Sequence, residues 1–131
     1  MRLDNINEVV KAAMTYERQR VEAASFNLSM TNVAIAADAL SPLRQAVLPS
    51  LFSSQLGILP TETRSVSAHR EVHDPDHPMA DARGMVHYPR VETATEMATL
   101  VSATRAYEAD VRAYNSLRAM TLKAFEIGKQ S

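Results

Sequence analysis

All six prolines of this chain, Pro42, Pro49, Pro60, Pro75, Pro78 and Pro89, fall between positions 42 and 89. Proline has no backbone N–H and its ring collides with the preceding helical turn, so it is excluded from the interior of a long helix. Both ends of the chain are therefore free to be long helices, and the middle is not.

Periodicity supports this division. Towards the amino terminus Ile6, Val10, Ala13, Met14, Val21, Ala24 and Leu28 recur at three- and four-residue steps, with Glu17 as the one polar intruder. That pattern predicts one amphipathic helix from about Asp4 to the mid-thirties, roughly 45 to 50 Å long at ~1.5 Å per residue. Near the other end Thr93 and Glu96 have the spacing of a capping box, and Gly128 suits a left-handed terminal cap. Between them Met97, Leu100, Thr104, Tyr107, Val111, Tyr114, Leu117, Met120, Ala124 and Ile127 form a stripe, with Val101 and Phe125 beside it. Its mean step lies a little below the 3.5 residues of a heptad, which predicts a left-handed wrap around a partner helix.

The expected fold is mainly α: two long terminal helices packed as a coiled-coil-like pair around an irregular, proline-containing middle. The expected boundaries are 1–37, 38–90 and 91–131, all within one structural unit. Short apolar runs such as Ala46-Val47-Leu48 and Gly57-Ile58-Leu59 punctuate the middle. Ser65 to Val72 and Met85 to Tyr88 read as short extended pieces with room for one small β-hairpin. Two helices of this length bury little surface by themselves, so broad apolar faces are left for other chains to cover. The expected assembly interface comprises Ile6, Val10, Ala13, Met14, Val21, Ala24 and Leu28 on the first helix. On the second it comprises Met97, Leu100, Tyr107, Val111, Tyr114, Leu117, Met120, Ala124 and Ile127.

Charge and composition exclude several alternatives. Fourteen basic side chains nearly balance fifteen acidic ones with no run of like charge, so neither a nucleic-acid surface nor a polybasic membrane anchor is expected. No stretch approaches the roughly 18 apolar residues of a membrane span, and Asp4 and Glu8 interrupt what would be the apolar core of a signal peptide. Cysteine is absent, which removes disulfides and thiolate ligands. The three glycines are isolated, so there is no phosphate loop or nucleophile elbow, and no acid–base pair stands out.

His69, His73 and His77 recur at four-residue steps beside Asp74 and Asp76, a spacing that places metal ligands on one face of a helix. Pro75 and Pro78 exclude that helix, and no Glu directly follows His69 as the zinc-protease order requires. The segment reads as a solvated loop. No catalytic group, metal or cofactor is assigned.

From His77 to Gly128 the sequence resembles the carboxy-terminal half of the proximal-rod family of the bacterial flagellum, the FlgC type. The resemblance lies in Pro78-Met79-Ala80-Asp81 with Gly84, in Tyr88-Pro89-Arg90-Val91, in Glu96-Met97, and in the run from Ser102 to Ala109. It continues from Asn115 to Met120, through Lys123-Ala124, to Ile127-Gly128. The first helix is similar at Ala13-Met14, Arg18-Gln19-Arg20-Val21 and Asn27-Leu28, but Phe26 and Met30 stand where the family has Ser and Asn.

The resemblance implies a subunit exported by the flagellar type III apparatus without a cleaved signal peptide. It would assemble in the periplasmic rod of the basal body with other rod subunits and copies of itself, without inserting in the membrane. The alternative is a helical adaptor of a flagellar or related secretion apparatus that does not enter the rod. A metal-dependent enzyme built on the histidines is a distant third.

Overall fold

The computed structural model describes residues 3–39, 41–47, 62–66 and 69–129. Helix α1 spans Leu3–Ser29 and helix α2 spans Thr93–Lys129. Between them the described residues form four strands, β1 (Leu43–Val47), β2 (Glu62–Val66), β3 (His69–His73) and β4 (Met85–Pro89). The Gly57-Ile58-Leu59 run and Leu48 lie outside the described residues.

The helices pack antiparallel. Asn27 of α1 reaches Glu96 of α2 and Arg20 reaches Ser102, so the partners on α2 advance as those on α1 recede. Along α1 the less exposed positions Ile6, Val10, Ala13, Glu17, Arg20, Ala24 and Asn27 alternate steps of four and three, the heptad rhythm of a helix held against a partner. Ala24 and Ala103 are buried, one small side chain on each helix.

Helix α1 is shorter than its periodicity predicts, ending at Ser29 rather than in the mid-thirties. Local hydrogen bonds end it. The Ser29 hydroxyl donates to the Phe26 carbonyl and the Thr31 hydroxyl donates to the Leu28 carbonyl, while the Met30 N–H is shared between the carbonyls of Phe26 and Asn27. Short hydroxyl side chains that take up terminal carbonyls compete with continuation of the helix.

Helix α2 also differs at both ends. The Glu96 N–H bonds to the Glu92 carbonyl, so Glu92 rather than Thr93 is the N-cap residue. The carboxylate of Glu96, expected to close a capping box, instead accepts from Asn27. At the other end the helix runs through Gly128 to Lys129, and among the described residues the one glycine at positive φ is Gly84.

Among its described residues the middle holds two antiparallel strand pairs where one hairpin was expected. β1 pairs with β2, with Leu43 opposite Val66, and β3 pairs with β4, with His69 opposite Pro89 and His73 opposite Met85. β1 packs on α1 through the buried Leu43. The β3–β4 hairpin packs on the linker after α1: the Ile35 N–H donates to the His87 carbonyl at 2.8 Å, and Val86 and Pro89 are fully buried. Gly84 turns this hairpin at φ 72°, where a Cβ would lie 3.1 Å from Cβ of Pro75. A left-handed backbone in so tight a turn needs glycine.

Candidate assembly surface

Two regions place side chains where chemistry or binding is conceivable: the joint where α1, β1 and α2 meet, and the tip of α2. At the joint Asn27 is almost wholly buried. Its amide donates to the Arg44 carbonyl at 2.8 Å and to Oε1 of Glu96 at 3.1 Å, and its Oδ1 accepts the Arg44 N–H at 2.7 Å. Arg44 lies over the Phe26 ring at 4.0 Å, so Phe26 forms a stacking platform for β1.

Glu17, the intruder on the α1 seam, pairs with Arg20 at 2.8 Å in a partly covered position, and Arg20 continues to the Ser102 hydroxyl. A charge on a helical seam is tolerated when it is paired and hydrogen-bonded. Beside these residues an open groove of about 700 Å³ is lined by Tyr16, Arg20, Arg44, Arg90, Glu92 and Glu96, among others. Its charges are largely matched, since Arg20 pairs with Glu17 and Arg90 lies 3.7 Å from Glu92.

The hairpin turn is organised by Asp81. One carboxylate oxygen accepts the N–H groups of Arg83 (2.8 Å) and Met85 (2.9 Å), and the other faces the Arg83 guanidinium and Nε2 of His87. The Met85 N–H, which outweighs the opposing desolvation, holds the Asp81 carboxyl well below the usual carboxylate range, with smaller help from the Arg83 N–H and the His87 and Arg83 side chains. His87 is the buried histidine, set between Asp81 and Glu71.

The other three histidines do not converge. His69 and His73 lie at the two ends of β3, about 13 Å apart along an extended strand, and His77 accepts the Met79 N–H on its Nδ1 inside the turn. Among the described residues no group of three or more His, Asp or Glu side chains is placed to hold a metal ion. No helix among them is long and apolar enough to cross a membrane.

The expected interface residues divide into two sets. Ile6, Val10, Ala13, Met14, Val21, Ala24 and Leu28 are buried or half-buried in α1, as are Leu100, Val111, Tyr114 and Leu117 in α2. Met97, Tyr107, Met120, Ala124 and Ile127 are exposed, Met97 at 55% and Met120 at 65%. The less exposed line of α2 runs through Glu96, Thr99, Ala103, Ala106, Asp110, Tyr114, Leu117 and Thr121, with a step close to 3.6. The purely apolar stripe drifts across that line because its step is shorter. Ala103, the buried residue of α2, is too small and too common to stand out in the sequence.

Helix length explains the exposed tip. The register that sets Asn27 by Glu96 and Arg20 by Ser102 brings Leu3 opposite about residue 120. From Thr121 onwards α2 therefore has no described residue of α1 beside it, and Phe125 is 71% exposed. A Cβ added at Gly128 would meet nothing within 4 Å.

An antiparallel helix pair, joined at one end to two small sheets, defines a helix-dominated protein. No protein-family profile matches the chain. Individual curated proteins do: it is 30% identical over 138 residues to the flagellar basal-body rod protein FlgC of Yersinia enterocolitica, and 29% identical over 135 residues to FlgC of Escherichia coli O6:H1. Each comparison covers 98% of this chain and the whole of the relative. FlgC of Bacillus subtilis is 52% identical over a shorter stretch of 58 residues, 44% of this chain and 39% of the relative. The chain belongs to the flagellar basal-body rod protein FlgC family.

Proposed function

We propose that this chain is a structural subunit of the proximal rod of the bacterial flagellar basal body, built into the rod through its terminal helices. The observation that carries the reading is similarity along the full length of proteins named for the rod. The bare end of α2 supports it, since an apolar helix tip in water is stable mainly where another chain covers it. Full-length similarity to rod proteins also favours a rod subunit over an adaptor that remains outside the rod.

The partners are other rod subunits and further copies of this chain, reached after export by the flagellar type III apparatus without a cleaved signal peptide. The exposed members of the interface set, Met97, Tyr107, Met120, Ala124 and Ile127, face those partners. The half-buried members hold the helix pair together. A heterologous contact that does not close on itself generates a helical tube.

Purified basal bodies from the organism, examined by mass spectrometry, test the assignment. The chain is expected in the rod fraction, and deletion of its gene is expected to abolish motility. A motile deletion strain whose basal bodies are intact would overturn it.

A further inference from the structure

The two ends of the molecule carry unpaired charges of opposite sign, each beside exposed apolar side chains. At the end of α2, Arg118, Lys123 and Lys129 outnumber Glu126, and Met120, Leu122 and Phe125 are exposed among them. At the other end the β3–β4 turn presents Asp74 and Asp76, with Met79 and Val72 exposed beside them. Arg118, Lys123, Lys129, Asp74 and Asp76 have no ion-pair partner among the described residues. The other acids of the hairpin are occupied, Asp81 with Arg83 and His87 and Glu71 with Arg83.

The turn is also rigid. Pro75 and Pro78 fix two backbone angles, and the N–H groups of Asp74, His77, Ala80 and Gly84 are all bonded within it. The hairpin adjoins the start of α2 and the basic tip is its end, so a helix of 37 residues, about 55 Å, separates the two surfaces. Neither surface can reach the other within one molecule.

We propose that the basic, apolar tip of α2 docks on the acidic β3–β4 turn of a second copy of this chain, with Lys123 and Lys129 facing Asp74 and Asp76 and Phe125 covering Met79. The proposal rests on the reading of the chain as a rod subunit and names one contact within it. The contact is head-to-tail, so each copy keeps a free tip and a free turn and the association does not close. Rim charges of this kind act chiefly on encounter rate and salt dependence, and the covered Phe125 contributes the apolar area.

Sedimentation velocity of the full chain at about 50 mM and about 500 mM salt tests it. Wild type is expected to self-associate more strongly at the lower salt. Two exposed-site variants, Asp74→Lys/Asp76→Lys and Lys123→Glu/Lys129→Glu, are each expected to weaken association roughly tenfold or more. An equimolar mixture of the two is expected to associate again, because every contact between unlike copies is then oppositely charged. Variants that associate as wild type does, a mixture that stays monomeric, or a wild type with no concentration-dependent association would each overturn the contact. Basal bodies from the same variant strains separate this outcome from the assignment itself. Wild-type chain present in the rod with no charge dependence of association rejects the contact alone, whereas its absence from the rod rejects the assignment.

Discussion

Asn27 supplies from a single side chain what a neighbouring strand would supply from its backbone: an acceptor for the Arg44 N–H and a donor to the Arg44 carbonyl, with a second donor left for Glu96. Asn27→Ala removes all three bonds and leaves covered backbone groups without partners. It should destabilise the fold by about 2–4 kcal/mol, read from urea unfolding followed by circular dichroism. Gly84→Ala places a Cβ at positive φ and 3.1 Å from Pro75, and an expected loss of about 1–2 kcal/mol is measurable in the same way. Asp81 makes a prediction about pH. Its carboxyl is depressed in the folded chain, so its contribution to stability is complete above the unfolded value of about 3.9 and is lost as pH falls through the lower folded value. The difference in urea midpoint between wild type and Asp81→Asn should therefore hold from neutral pH to about pH 4 and shrink below it. Asp81 and Gly84 are visible in the sequence as parts of a family motif, but their reasons are geometric: one gathers the amides of a turn, and the other permits it.

At the scale of elements, the helix pair has a paired part and an overhang. Amides of α2 between Ala103 and Leu117, packed beside α1, should exchange with solvent far more slowly than those beyond Thr121, because the overhang lacks tertiary support and an isolated helix end frays. Hydrogen exchange resolved along α2 measures this gradient, and uniform protection to Lys129 would contradict it. Ala103→Leu should cost about 1–3 kcal/mol, since a larger side chain at a fully buried position must displace its neighbours. The existence of both helices is legible from the proline distribution and from periodicity, since a barred residue and a repeating step are local properties. The end of α1 at Ser29 is less legible because a continuing apolar pattern outlasts the hydroxyl-mediated stop. β1 is missed for a related reason: its Arg44 and Gln45 give no alternation, and its pairing with β2 joins residues some twenty positions apart.

As a whole the molecule is a strut with unlike ends, a sheet-bearing joint and a bare helix tip. Phe125→Asp alters an exposed side chain with no described α1 residue opposite, so it should leave thermal unfolding of the isolated chain nearly unchanged while reducing incorporation into basal bodies and motility. Leu117→Asp, half-buried beside α1, should instead lower stability and assembly together. Immunoblots of purified basal bodies, set beside melting curves, distinguish the two behaviours.

The two terminal helices, the exclusion of helix from the middle, and the family are written in the chain itself, because proline placement, heptad-like steps and motif runs are properties of residues near one another. Which face of α2 meets α1, that Glu96 serves Asn27 rather than its own helix start, and that α2 extends beyond its partner emerge only once the chain is folded. Those outcomes depend on the register between helices joined through more than sixty intervening residues. That register is pinned by the Asn27–Glu96 and Arg20–Ser102 hydrogen bonds, whose polar side chains leave no mark in a hydrophobic pattern.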